Sequence, residues 1–219
     1  MNVRRAVLVA CCLLLWPAGL LSAAGPPNFD RPVSGRPILV CYGDSITAGL
    51  GLPDGEAYPD FLQKLLDERG YAYKVINQGT SGATTKDALD GLPYVLRLHP
   101  AVVIVEFGGN DGLRGLPVGQ TRSNLDQVLA GLEKAHVKIL LAGITLPPDY
   151  GQDYILSFDK IFLNLAAKHH IAVVPMLYKD LIHVPGTIQG DGIHPTAKGS
   201  AIIAGTPFPV LKPLLHKSP

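Results

Sequence analysis

Three side chains in this sequence have the types and spacing needed for acyl-transfer chemistry. Ser45 follows the apolar run Ile38–Tyr42, and Asp191 and His194 share one short segment near the other end of the chain. A serine hydroxyl is a weak nucleophile at neutral pH unless a base takes its proton. His194 can be that base if its second ring nitrogen is held, and Asp191 is close enough in sequence to hold it. The residues predict a hydrolase with a Ser-His-Asp triad.

The elements that must position these residues form an alternating pattern. Short runs that are apolar on both faces predict strands of a helix-covered parallel sheet; they are Ile38–Tyr42, Tyr73–Asn77, Ala101–Phe107, Val137–Gly143 and Ile171–Pro175. Amphipathic spacing predicts helices between them, at Tyr58–Arg69, Thr84–Leu98, Thr121–Ala135 and Tyr154–His169, with a short one from about Thr196 to Ala204. The alternation predicts right-handed βαβ units in a three-layer α/β/α sandwich around a five-stranded parallel sheet.

Glycine-rich and polar loops follow the predicted strands. Gly43-Asp44-Ser45 follows the first strand, Gly79-Thr80-Ser81-Gly82 the second and Gly108-Gly109-Asn110-Asp111 the third, while a late loop holds Asp191 and His194. Reactive loops of an open parallel sheet lie at the carboxyl ends of its strands. We therefore expect all four loops to converge on one cleft.

This set of loops resembles the GDSL, or SGNH, hydrolase family. The matching blocks are Gly43-Asp44-Ser45-Ile46, Gly82 within Ser81–Thr85, Gly108-Gly109-Asn110-Asp111 and Asp191-Gly192-Ile193-His194-Pro195. One block alone is weak support, but four in order cover most of the chain. The resemblance implies a flavodoxin-like SGNH hydrolase fold. Ala83 departs from the family pattern, which often has an acidic residue there.

The resemblance also implies an oxyanion hole. Its donors would be the backbone N–H groups of Ser45 and Gly82 and the side-chain amide of Asn110. Gly82 suits this role because a residue without Cβ lets the backbone approach a substrate closely. Asp44 is expected to hydrogen-bond the loop backbone rather than to join the triad.

Two loops resemble the bacterial periplasmic branch of thioesterases, arylesterases and lysophospholipases. They are Gly108–Leu116 and Leu146–Tyr154. Their apolar side chains are candidates to line an acyl groove, or alternatively only pack the loops; the substrate-binding candidates are Leu113, Leu116, Pro147 and Tyr150, with Leu181 and Ile188 from later in the chain. We expect a serine esterase for short- to medium-chain acyl esters, with thioesters and lysophospholipids as further substrates.

Two other functions are compatible with the same residues. A carbohydrate O-acetyl esterase would use the same core. A non-catalytic domain that binds acylated ligands would keep only the cleft. All five functional positions are filled in this sequence, which argues against the second alternative.

The amino terminus has basic, then apolar, then small residues, in the order typical of a secretory signal peptide. Basic Arg4 and Arg5 precede an apolar run, and small residues at Ser22 and Ala24 allow cleavage before Gly25. We expect a signal peptide over residues 1–24, a linker over 25–37 and the hydrolase domain over 38–215, in an exported, periplasmic or secreted protein. An uncleaved amino-terminal membrane anchor is the alternative, since the run approaches the roughly 20 apolar residues of a membrane span.

Composition excludes several partner classes. Without Arg4 and Arg5 the chain has 17 Lys plus Arg against 18 Asp plus Glu, so nothing attracts nucleic acid. Cys41 would be the only thiol left after cleavage. No pair of histidines has metal-ligand spacing with a third ligand, apart from the adjacent His169 and His170, whose side chains diverge. We expect no metal and no cofactor. The expected substrate is a small-molecule acyl ester or lipid, with no nucleic acid as a partner and with membrane contact only through the leader or a lipid substrate.

Overall fold

The central feature of the computed structural model, which describes residues 35–181 and 183–217, is a five-stranded parallel sheet. Its strands are β1 (Ile38–Gly43), β2 (Lys74–Gly79), β3 (Val102–Glu106), β4 (Lys138–Ala142) and β5 (Ala172–Val174). They are arranged in the order β2-β1-β3-β4-β5, and every neighbouring pair is parallel. This is the flavodoxin-like order, so the predicted fold class is confirmed.

Helices cover both faces of the sheet. They are α1 (Ser45–Ala48), α2 (Tyr58–Glu68), α3 (Thr85–Leu96), α4 (Gly109–Leu113), α5 (Val118–Lys134), α6 (Gln152–His169), α7 (Ala197–Gly205) and α8 (Phe208–Leu211), with 3₁₀ turns at Pro148–Tyr150 and Lys212–Leu214. Helix α2 packs against α7, whereas α3 packs against α5 and α5 against α6. Right-handed crossovers put these two groups on opposite faces, because the chain changes direction across the sheet after β2.

The core lies between the sheet and these helices. Every residue of β3 is buried, as is every residue of β1 after Ile38. This explains why those strands read as continuous apolar runs rather than as an alternating pattern. Cys41 is completely buried in β1 and its thiol is free. Burial raises the pKa of Cys41 to about 12, so this thiol packs as a small apolar side chain.

A capping box determines where α3 begins. The hydroxyl of Thr84 accepts from the backbone N–H of Asp87, and the carboxylate of Asp87 accepts from the N–H of Thr84. The reciprocal bonds satisfy two N–H groups that a helix terminus would otherwise leave unpaired. The turn that contains Gly82 is thereby anchored to a stable helix.

Three short helices were not predicted from the sequence, the last being α8 at Phe208–Leu211. Helix α1 begins at Ser45 directly after β1, and α4 begins at Gly109 shortly after β3. Each is too short to show a helical repeat of apolar residues. The predicted strands and longer helices are all present, with ends that differ by up to three residues.

The amino-terminal predictions fall largely outside the described residues. The expected signal peptide and most of the expected linker lie in residues 1–34, so both stay predictions. Within residues 35–181 and 183–217, none of the helices combines the length and apolar character needed to cross a bilayer.

Gly79 is a test of how closely α1 packs against the sheet. A Cβ at this position would lie 2.1 Å from the backbone nitrogen of Ala48 and 2.6 Å from the Thr47 carbonyl carbon. Gly79→Ala is therefore expected to displace α1, to lower the free energy of unfolding by about 1–3 kcal/mol and to reduce activity. Urea unfolding measures the first effect and ester hydrolysis the second.

Gly119→Ala is the matched control for this substitution. A Cβ at Gly119, in the first turn of α5, would have no atom of the described residues within 4 Å apart from the backbone of its own helix. The control should be neutral or slightly stabilising, because alanine is the better helix former. Equal urea midpoints for the two variants would contradict the close packing of α1 on β2.

Candidate active site

The segment after β1 presents Ser45 at the start of α1. Asp44 is the N-cap of this helix, and its Oδ1 accepts from the N–H of Ile46 at 3.0 Å. The expected role of Asp44 in holding the loop backbone is confirmed by this contact. Ser45 is the first helical residue, so its backbone N–H has no acceptor within the helix. Both the hydroxyl and the N–H of Ser45 are therefore placed by a single short turn.

The segment that carries Asp191 and His194 is a closed loop. An antiparallel bridge between Ile188 and Pro195 joins its two ends. Between them the N–H of Gln189 donates to the carbonyl of His194 at 2.8 Å. The hydroxyl of Tyr178 donates to the Ile193 carbonyl at 3.0 Å from outside the loop. These bonds fix the backbone on either side of the His194 ring.

The three side chains predicted to act together form one hydrogen-bonded chain. His194 Nε2 lies 2.8 Å from Ser45 Oγ, and His194 Nδ1 lies 2.6 Å from Asp191 Oδ2. A carboxylate only accepts hydrogen bonds, so Nδ1 must carry the proton. In the neutral ring Nε2 is then the acceptor for the Ser45 hydroxyl.

The Asp191 carboxylate is held in its charged form by several donors. Its Oδ1 accepts from the N–H of Ile193 at 2.9 Å and from that of His194 at 3.0 Å. These backbone bonds, the Ile193 bond foremost, together with the His194 ring lower the pKa of Asp191 to about 2. Asp191 is therefore ionised over the whole working range of a neutral-pH enzyme, although its side chain is 44% exposed.

Asn110 on α4 connects the other two predicted loops. Its Nδ2 donates to the Ala83 carbonyl at 3.0 Å and to Asp44 Oδ2 at 3.2 Å. Ala83 follows Gly82, and Asp44 precedes Ser45, so the side chain of Asn110 touches both segments that carry the expected N–H donors. Gly82 has φ +79°, which favours glycine. Arg114 donates to the Gly82 carbonyl at 2.8 Å.

Glu106 is a functional candidate that sequence reasoning missed. It ends β3, is 1% exposed, and its Oε2 accepts from the Thr47 hydroxyl at 2.8 Å and from the Asp44 N–H at 3.3 Å. Its Oε1 has no hydrogen-bond partner among the described residues. Burial, with the charge of Asp44, raises the pKa of Glu106 well above its usual value, and burial also raises the pKa of Asp44. A glutamate ending an otherwise apolar strand was the available signal.

A cleft of about 570 Å³ opens above Ser45 and His194. Its walls are mainly apolar, and they include Leu113, Ile144, Leu146, Pro147, Met176 and Tyr178. Of the four substrate-binding candidates, Leu113 and Pro147 lie in this lining and Leu116 and Tyr150 do not. Tyr150 supports the wall from behind, because its hydroxyl donates to the Leu113 carbonyl at 2.9 Å.

A second cavity, of about 410 Å³, shares Tyr178 with the lining of this cleft. Leu181 and Ile188 line this cavity rather than the cleft above Ser45. In residues 35–181 and 183–217, no three His, Cys, Asp or Glu side chains are grouped as a metal site requires. The expectation of no metal and no cofactor stays a prediction.

Comparison with known proteins agrees with this geometry. Residues 41–202 match the model of the GDSL-like Lipase/Acylhydrolase family. The chain belongs to this family. Esterase TesA of Pseudomonas aeruginosa is 40% identical over 178 residues, which are 81% of this chain and 89% of that protein. Thioesterase 1/protease 1/lysophospholipase L1 of Escherichia coli K12 is 35% identical over 179 residues, 81% of this chain and 85% of the relative.

A solved structure extends the likeness to three dimensions. The crystal structure of TesA superposes with a TM-score of 0.78 at 40% identity, covering 81% of this chain and 99% of that chain. The predicted GDSL family is thereby confirmed, and with it an ester-cleaving hydrolase. Small-molecule esters or lipids are the substrate class that this family implies.

Glu106→Gln tests the buried carboxyl beneath Ser45. Folding raises the pKa of Glu106, so its protonated form adds to the free energy of unfolding. This contribution is at its full size below about pH 4.5, the usual pKa of glutamate, and it is lost as the pH rises through the pKa of Glu106 in the folded protein. Glutamine keeps an acceptor for Thr47 and never ionises. The variant should therefore gain stability relative to wild type as pH rises from 4.5, at up to about 1.4 kcal/mol per pH unit. Urea unfolding at several pH values measures the difference.

Exposed Glu68, at the end of α2, provides the control substitution Glu68→Gln. This control should run parallel to wild type across the same pH range. A constant offset between Glu106→Gln and wild type would show that Glu106 ionises normally in the folded protein.

Proposed function

We propose that this chain is a serine esterase that hydrolyses short- to medium-chain acyl esters through an acyl-enzyme. Ser45 is the nucleophile, His194 is the base, and the Asp191 carboxylate orients the His194 ring. The observation that carries the proposal is the 2.8 Å contact between Ser45 Oγ and His194 Nε2 at the floor of an apolar cleft. The named relatives, an esterase and a thioesterase/lysophospholipase, support acyl esters, thioesters and lysophospholipids as substrates.

The first half of the reaction acylates Ser45. Its oxygen attacks the ester carbonyl carbon while its proton passes to His194 Nε2, and Asp191 stabilises the imidazolium that forms. Collapse of the tetrahedral intermediate expels the alcohol or thiol, which takes the proton from His194. A water molecule then repeats the sequence on the acyl-enzyme, and the acid is released.

The negative charge of the intermediate would be stabilised by the N–H groups of Ser45 and Gly82 and by Asn110 Nδ2. An amide NH₂ has only two hydrogens, and those of Asn110 already point toward Ala83 and Asp44. The oxyanion must therefore share one of them. The bond to Asp44 is the longer, so its hydrogen is the easier to share. The contacts nevertheless hold the amide in place before substrate arrives, as electrostatic catalysis requires.

The apolar cleft supports acyl chains over carbohydrate as the bound group. Leu113 and Pro147 remain the proposed substrate-binding residues from the sequence, and Ile144, Leu146 and Met176 join them in the lining. Each methylene buried there contributes about 0.8 kcal/mol. A sugar acetate would instead require polar groups for its hydroxyls.

We also propose that the chain is exported and that residues 38–215 form the hydrolase domain. The support is the basic and apolar order of residues 1–24, together with a family match confined to residues 41–202.

Hydrolysis of para-nitrophenyl esters from acetyl to octanoyl tests the proposed function. Wild type should act best on chains between butanoyl and octanoyl, and Ser45→Ala should lose more than about 1000-fold in kcat. Ser123→Ala, at an exposed serine on α5, should match wild type. Equal rates for wild type and Ser45→Ala would remove Ser45 from the mechanism.

The chain-length profile separates the alternatives. A preference for acetyl esters would favour the carbohydrate O-acetyl esterase. Binding of the esters without any turnover by wild type would favour the non-catalytic acyl-ligand domain.

Asn110→Ala tests the oxyanion hole. Loss of one preorganised donor typically costs about 100- to 1000-fold in kcat, and we expect a loss of that size with the fold intact by circular dichroism. Asn164→Ala, at an exposed position on α6, is the control and should retain full activity. Near-normal turnover of purified Asn110→Ala would exclude Asn110 from the mechanism.

A further inference from the structure

The side chain of Gln189 lies between the two segments that carry Ser45 and His194. Its Nε2 donates to the Leu50 carbonyl at 2.8 Å and to the Pro195 carbonyl at 2.8 Å. Leu50 lies just after α1, whereas Pro195 follows His194 directly. One carboxamide therefore joins both segments, and Leu50 and Gln189 are 139 residues apart in sequence.

These bonds belong to a closed ring of hydrogen bonds. The N–H of Leu50 donates to the Ser45 carbonyl at 3.1 Å, and the N–H of Gln189 donates to the His194 carbonyl at 2.8 Å. The contact between His194 Nε2 and Ser45 Oγ, 2.8 Å, closes the ring. Starting from Ser45, the ring passes through Leu50, Gln189 and His194 and returns to Ser45.

The surroundings of Gln189 match a primary amide. Two carbonyl oxygens face its NH₂ group, which has two hydrogens to donate. Gly51 lies against the amide from the other side, where a Cβ would be 2.6 Å from Gln189 Oε1. Gly51 also has φ +79°, so a glycine is favoured at this point on conformational grounds as well.

We propose that Gln189 is a positioning residue that sets the distance between the His194 ring and the Ser45 hydroxyl. This inference rests on the proposed function, in which proton transfer between the two groups accompanies attack. Such a transfer requires heavy atoms within hydrogen-bond reach, about 2.6–3.2 Å. Gln189 acts on this distance through the backbones on both sides and touches neither reacting atom.

The test is kinetic analysis of Gln189→Met, which keeps the length of the side chain and removes both donors. The kcat for octanoyl and for acetyl para-nitrophenyl esters should fall by the same factor, about 10- to 100-fold, the range expected when reacting groups move by up to 1 Å. KM should stay within about twofold of wild type, because Gln189 does not line the cleft.

Active-site titration distinguishes positioning from a merely structural role. An organophosphonate that labels Ser45 counts the competent molecules and also measures the rate at which Ser45 attacks phosphorus. If Gln189 positions His194, the titrated fraction stays near one while the labelling rate per site falls with kcat. If Gln189 only stabilises the fold, the titrated fraction falls and turnover per titrated site stays at the wild-type value, which would overturn the proposal.

Two further variants test the same positioning role. Gln189→Glu is similar in shape but places a carboxylate beside two carbonyl oxygens, so its kcat should be at least as low as that of Gln189→Met. It provides the same test if Gln189→Met does not fold. Gln127→Met, at an exposed position on α5, is the matched control and should behave as wild type. Wild-type turnover per titrated site in both Gln189 variants, together with an inactive Ser45→Ala, would overturn only the positioning role of Gln189. An active Ser45→Ala would instead overturn the proposed function.

Discussion

The contact between Ser45 Oγ and His194 Nε2 is the constraint on which the rest of the site depends. The two residues are 149 positions apart, and each approaches the other from a different part of the fold. Ser45 follows β1, which lies between β2 and β3 in the sheet, whereas His194 lies in a loop that follows the last strand, β5. The proposed triad forms only because the late loop returns to the carboxyl end of β1, where the cleft opens above Ser45 and His194.

The strand order supplies the space for this return. In the order β2-β1-β3-β4-β5 the chain reverses direction across the sheet beside β1, and crevices for ligands form at such switch points. The segments after β1, β2 and β3 all end there. Asn110 joins them through its two hydrogen bonds, so the donors expected to stabilise an oxyanion are held by one amide rather than by three independent turns.

Two carboxyl groups are buried beneath Ser45, which is electrostatically unfavourable. Glu106 and Asp44 are buried close together, and burial works against the charged form of each. An apolar residue in place of Glu106 would pack at lower electrostatic cost. It would also remove the carboxylate oxygen that accepts from the Thr47 hydroxyl and from the Asp44 N–H. Buried carboxyl groups are unfavourable for folding, and such exceptions are expected near functional sites. Here the buried carboxyl ties the end of β3 to the turn that presents Ser45.

The sequence by itself determined the strands and the long helices, because apolar periodicity is a local property of the chain. The resemblance of four loop motifs was enough to predict the family, and with it Ser45, Asp191 and His194 as candidate site residues. Only the tertiary structure decided which side chains support these residues and which line the cleft. Glu106 and Gln189 were not recognised because the segment after β1, which both side chains contact, is distant from them in sequence. Leu113 and Leu116 look equivalent in sequence, yet only Leu113 lines the cleft above Ser45. The direction of a side chain in a loop depends on packing against other elements, and no local pattern records that packing.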